Sequence, residues 1–183
     1  MRISFVYLKA TEGGDHKDRL FQQNWAALKD TRLVRGAYHF FTFCRPGQDQ
    51  ASNLLDLLPA ERGTLPVAID LEFGGNCARR PAVEEMAAEV TAFVSALRQK
   101  DDRPPVFYVT QEFSDAYLAG HEGLYPDHAL WLRDIYKQPQ GQGCSGWTFW
   151  QYAAQGLVAG IKTPVDLNAY CSDAAAFQKL LRP

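Results

Sequence analysis

Short apolar runs alternate with amphipathic helical stretches through most of these 183 residues, and that alternation restricts the possible folds more than any other feature of the chain. A strand pattern at residues 3–8 leads into a helical stretch at about residues 17–29, with Phe21, Trp25 and Leu28 on one face. A second strand pattern at residues 36–41 precedes a short helix carrying Ala51, Leu54, Leu55 and Leu58. The third, residues 65–72, precedes the clearest helix, with Val83, Met86, Ala87, Val90, Phe93, Val94 and Leu97 spaced by three and four. Residues 105–109 form the next strand pattern, followed by a short helix near residues 113–118. Further strand patterns lie at residues 130–135, 147–152 and 165–170, joined by connections too short for full crossover helices. A terminal helix capped by Asp173 turns Phe177, Leu180 and Leu181 toward the core. Strands separated by helices imply an α/β fold with a parallel sheet buried on both faces.

Polar residues decide whether that sheet is open or closed. Nearly every strand pattern carries them at its C-terminal end: Glu12, Tyr38 with His39, Asp70 with Glu72, Tyr108, Arg133 with Asp134, Gln151, and Asp166 with Asn168. In a parallel barrel those ends converge on one mouth, where barrel enzymes keep their chemistry. An open doubly wound sheet needs only a few near its switch point and usually adds a Gly-rich phosphate loop, which is absent here. The expected architecture is therefore a TIM-like parallel (β/α) barrel with a reduced helix count, formed by residues 1–183 as a single domain. Seven strands are one short of eight, so a strand is expected to be missing from the front.

Composition excludes some functions. A net charge of -2 with scattered Lys and Arg argues against nucleic acid as a partner. No apolar run reaches the length of a membrane-spanning helix, and the N-terminal MRISFVYLKATEG carries no secretory-signal pattern. His pairs with helix-face spacing, CxxC pairs and a GxSxG turn are all lacking, so neither metal, cofactor nor serine-based chemistry is expected. Cys44, Cys77, Cys144 and Cys171 allow three pairings if oxidised, and free buried thiols are equally compatible with the sequence.

The chemistry concentrates on the third strand pattern. Asp70 and Glu72 are two residues apart, so their side chains emerge on one face. Two carboxylates close together in a cleft cannot ionise independently: repulsion and desolvation raise one pKa, leaving a protonated acid beside an ionised partner, as glycoside cleavage requires. Glu72, the outer and longer acid, is the expected proton donor, with Asp70 stabilising positive charge or orienting a substrate group. Tyr38 and Tyr108 are expected to contact a sugar. His39, next to Tyr38, serves equally well as a core histidine or a ligand, and His16, His121 and His128 are expected in solvent. Glu12 also suits hydrogen bonding to loop amides.

The segments FVYLKATEG, RGAYHFF, LPVAIDLE, PVFYVT, LWLRDIY, WTFWQY and VDLNAY, in that order, resemble the strand signatures of glycoside hydrolase family 25, the Chalaropsis-type lysozymes. The resemblance covers nearly the whole chain. It implies hydrolysis of the β-1,4 bond between N-acetylmuramic acid and N-acetylglucosamine, with Glu72 as the acid, Asp70 its partner, Asp166 a further acid on the last strand and Tyr38 in the site. Tyr108, Glu12, Trp131, Gln151 and Asn168 complete the expected substrate-contacting set. The loops around Phe40–Gly47 and Asp70–Cys77 resemble a bacterial subgroup with cysteines in both, making Cys44 and Cys77 the first choice for a disulfide. Peptidoglycan glycan strands are the implied partner and an extracytoplasmic location the implied setting, with any export signal outside this chain.

One departure bears on all of this. The family's opening DVSxxQ strand, whose aspartate joins the active site, has no counterpart here. An open seam is expected between residues 3–8 and 165–170, with self-association through the exposed edges. A peptidoglycan-binding module impaired in catalysis is the competing reading, recognised by binding without release of reducing ends. A barrel enzyme acting on another polysaccharide, such as chitin, would be recognised by its products.

Overall fold

The computed structural model describes residues 3–140, 144 and 146–181. One sheet contains β1 (Phe5–Glu12), β2 (His16–Lys17), β3 (Val34–Phe40), β4 (Ala68–Leu71), β5 (Val106–Thr110), β6 (Ala129–Arg133), β7 (Phe149–Gly156) and β8 (Val165–Tyr170), in the order β2-β1-β3-β4-β5-β6-β7-β8. Pairing is parallel from β1 through β7 and antiparallel at β2 and β8. The strand at residues 165–170 was expected to run with the others, and this is corrected. Only residues 157–164 join β7 to β8, whereas a parallel return needs a crossover of about a dozen residues or more. Asp166 therefore lies near the start of its strand, yet at the same end of the sheet as the C-terminal ends of the parallel strands. β7 and β8 continue past Gln151 as a hairpin standing above that end.

The helices are α1 (Phe21–Ala27), α2 (Gly47–Leu55), α3 (Val83–Leu97), α4 (Gln111–Phe113), which runs on into a π-helical turn at Ser114–Leu118, and α5 (Ala174–Gln178). The three- and four-residue apolar spacing of α3 buries Met86, Ala87, Val90, Phe93, Val94 and Leu97 against outward-facing Ile69, Leu71, Phe107 and Val109 of the sheet. Each of these larger side chains, Ala87 aside, contributes about 1.5–3 kcal/mol on burial. α2 meets α3 closely at Gly47: a Cβ there would fall 1.9 Å from the Glu89 carbonyl oxygen, and the Gly47 N–H donates to the Glu89 carboxylate at 2.6 Å.

The inner face holds a second apolar cluster, with Leu65, Ala68, Val106, Trp131, Phe149 and Phe177 at its centre. Curling of the sheet brings β1 across to β6 and β7, with ring centroids 4.9 Å apart for Tyr7–Trp131 and 5.4 Å for Phe5–Phe149. Gly36 makes room for this, since a Cβ there would lie 2.4 Å from the Tyr7 ring. α5 closes the floor: Phe177 packs on Phe5 and Tyr170, and Arg103 donates to the Leu180 carbonyl at 2.9 Å. Among the described residues no hydrogen-bonded pairing joins β1 to β8, so the sheet is a curled, mostly parallel one rather than a closed ring. No described helix is long and apolar enough to cross a membrane.

Candidate active site

Alternation along strands held in parallel register decides which residues share the mouth. Asp70 faces inward between Ile69 and Leu71, both fully buried on the opposite face. Register sets Asp70 beside Phe40 on one side and Tyr108 on the other, and Tyr108 beside Trp131. Glu72 follows just past the end of β4, half-buried, on the same side as Asp70. Simple alternation from Lys9 would turn Glu12 away from the mouth. The register shift in β1 between Lys9 and Thr11 prevents this: Ala10 and Thr11 both face the outer core, and Glu12 faces inward with Lys9, whose ammonium it accepts at 2.7 Å.

Electrostatics follow from this crowding. One carboxylate oxygen of Asp70, Oδ1, is buried with no hydrogen-bond partner. Burial raises the Asp70 carboxyl well above the usual carboxylate range, and the neighbouring charge of Glu72 raises it further, with Lys9 opposing. Glu72 is also raised, by desolvation and then by Asp166, while Arg133 pulls it down. Asp166, on the exposed part of the hairpin, is raised by desolvation with Arg133 again opposing. The mouth thus gathers three carboxyl groups whose pKa values are all raised, a clustering of shifted groups that marks a candidate acid–base site.

The remaining sequence-selected residues surround these acids in different ways. Tyr38 and Tyr108 both point inward, and burial followed by the nearby carboxylates raises both phenols, so each is a neutral hydroxyl. Tyr108 donates to the Gln151 side-chain oxygen at 2.8 Å. Gln151 is only 2% exposed, so it orients that tyrosine rather than presenting its own amide to the mouth. Trp131 is largely buried, stands edge-on to Tyr108 and donates its indole N–H to Asn168 at 3.0 Å, which fixes the ring as part of the floor. Asp134 turns to a structural task, accepting the N–H groups of Tyr136 and Lys137.

His39 belongs to the core. Gln50 donates its amide to the carbonyls of Thr42 and Arg45, leaving its oxygen to accept from His39 Nε2, while His39 Nδ1 accepts from the Thr11 hydroxyl at 2.7 Å. Burial lowers the His39 pKa to about 4. His128 is not in solvent as expected, but stacks on Phe107 with centroids 4.0 Å apart.

Three contributors were not selected as site residues from the sequence. Asn76 donates to the carbonyls of Phe41 and Glu72 and accepts the N–H groups of Phe43 and Cys77, fastening the loop after β3 to the loop that carries Glu72. Lys9 and Arg133 bring positive charge to the inner face. Lys9 and Asn76 gave no sequence signal beyond residue type; Arg133 stood at a strand end, and that position was its signal. Cys44 and Cys77 are joined across the same two loops, and Cys144 with Cys171 behind the last strand. Among the described residues no three His, Cys, Asp or Glu side chains converge as a metal-binding group. A separate hollow along α3, lined by Ala87, Thr91, Ala92 and Leu124, bears none of the mouth's residues.

Comparison with known proteins agrees with this architecture. The family model described as Glycosyl hydrolases family 25 matches residues 2–161. Lysozyme M1 of Streptomyces globisporus is 28% identical over 184 residues, covering 94% of this chain and 62% of its own length. The uncharacterized protein YegX of Escherichia coli K12 is 29% identical over 170 residues, 93% of this chain and 60% of its own length. This chain thus spans about three-fifths of the curated relatives it matches. Among solved structures, a family 25 glycosyl hydrolase from Bacillus anthracis superposes with a TM-score of 0.85 at 31% identity, covering 96% of this chain and 82% of that one. A bacterial lysozyme from Streptomyces coelicolor gives 0.84 at 28%, covering 97% and 85%.

Proposed function

The chain belongs to glycosyl hydrolase family 25, and from that premise we propose that it is a lysozyme-type muramidase. It hydrolyses the β-1,4 bond between N-acetylmuramic acid and N-acetylglucosamine in peptidoglycan. The observation that carries this reading is the inward-facing Asp70–Glu72 pair, both raised in pKa, with Tyr108 level with Asp70 and Tyr38 one step deeper on the flanking strands.

In this mechanism protonated Glu72 donates to the glycosidic oxygen as the bond to the anomeric carbon breaks. Asp70 orients the 2-acetamido group, whose carbonyl oxygen attacks the anomeric carbon; water then opens that intermediate and Glu72 recovers its proton. Retention of configuration at the new reducing end, read by NMR of the first product, supports this course, and inversion would replace it with direct attack by water. Tyr38 and Tyr108 offer neutral hydroxyls to the sugar, Asp166 and Glu12 line the rim, and Trp131 and Asn168 support it.

Glu72→Gln tests the assignment. Cleavage of purified peptidoglycan should fall by about 10²- to 10⁴-fold, with an unchanged thermal melt. Full activity in that variant would remove Glu72 from the role, and binding without new reducing ends by the wild type would leave only a wall-binding module. Two disulfides support residence in an oxidising, extracytoplasmic compartment, which is also where the proposed substrate lies. The curled sheet supports a TIM-like barrel that stops short of closure, acting as one catalytic unit. The outer side of β8 and the part of β1 that β2 leaves uncovered supply a route to self-association.

A further inference from the structure

Arg133 ends β6 two residues after Trp131, so alternation turns it to the same inner face, one step nearer the mouth. Register sets it between Thr110 and Gln151. Its charge is felt by Glu72, Asp166 and Tyr108, which places it beside the proposed cleavage point. The inner face carries another cation, Lys9, but Glu12 already neutralises it at 2.7 Å. Arg133 is half-buried, and among the described residues its guanidinium makes neither an ion pair nor a hydrogen bond. A partly desolvated guanidinium without a protein acceptor leaves its forked N–H donors available to a ligand, and that fork matches a carboxylate in two parallel bonds.

We propose that Arg133 is a specificity-determining residue that binds a carboxylate of the glycan strand next to the bond cleaved with Glu72. The inference rests on the muramidase reading. Peptidoglycan presents such a group from two sources, the lactyl side chain of N-acetylmuramic acid once its peptide is removed, or the stem peptide itself. Binding one of them would seat a muramic residue, rather than a neutral hexosamine, on the Arg133 side of the cleft. It would also bring a negative charge toward the mouth at the point where the protein's own acids would otherwise repel it.

The test compares kcat/KM on three preparations of one glycan: strands with stem peptides, strands stripped of peptides so that lactyl carboxylates are free, and stripped strands whose carboxylates are capped as methylamides. Wild type should prefer one of the charged substrates over the capped one. Arg133→Met should lower that preference by about tenfold or more, while Arg133→Lys should keep part of it, which guards against misfolding as the cause. Loss on the stripped strands identifies the lactyl group, and loss on the peptide-bearing strands alone identifies the stem. A ratio of two substrates cancels any change that the lost charge makes to Glu72 itself. If both variants retain the wild-type ratio, the inference is overturned while the muramidase reading stands. If wild type cleaves none of the three, the reading fails and the inference fails with it.

Discussion

Asp70 sits where a carboxylate is costly to keep. Its raised pKa means that the folded state binds the proton more tightly than the unfolded chain does. The group therefore contributes stability at pH values below the ordinary aspartate range and loses that contribution as pH rises through its folded value. At neutral pH Asp70→Asn should raise stability by about 1 kcal/mol, seen as a higher melting temperature, while cleavage is lost. His39 works in the opposite sense. With a folded pKa of about 4, its contribution is full above the ordinary histidine value and falls as pH drops through the interval down to 4. Urea midpoints between pH 7 and pH 4 should record about 3 kcal/mol of loss from this group, absent in His39→Gln. The inward pair Asp70–Glu72 was readable from its two-residue spacing on an apolar strand. Glu12 was selected too, but its route into the mouth was not readable, because a bulge at Ala10 has no residue-type signature. Arg133 and Asp134 stand adjacent with equal claims in the sequence, and only alternation in the folded strand sends one into the mouth and leaves the other to cap a turn.

At the scale of elements, the alternation of strands and helices through β5 was legible because the main helices repeat an apolar face and each parallel strand carries a short apolar run. The reversal at β8 was legible only in part. Its short connection stood in the sequence, but the direction of a strand depends on its partner's register, which residue types do not encode. The loops after β3 and β4 form the other informative pair, since Asn76 and the Cys44–Cys77 bond tie them together next to Glu72. Replacing both cysteines by serine should cost about 3 kcal/mol in equilibrium unfolding under oxidising conditions. If the loops set the position of Glu72, kcat should also fall while the melt remains cooperative. A change in melting temperature alone would limit the bond to stability.

For the molecule as a whole, the open sheet is the feature with the widest physical effect. Aromatic contacts between β1 and β6–β7 fill the interior, but among the described residues no strand pairs with the outer side of β8, and β2 covers β1 only at Thr11 and Glu12. Light scattering across a concentration series should reveal a dimer that grows with concentration, and a constant monomer mass would remove the edges from any role in association. The direction of β8 has a different consequence. By running downward beside β7 it delivers the chain to α5, beneath the floor and opposite the mouth that holds Asp70 and Glu72. A tether, tag or anchoring module fused behind that helix would thus hang from the underside, leaving access for a long polymer unobstructed from above.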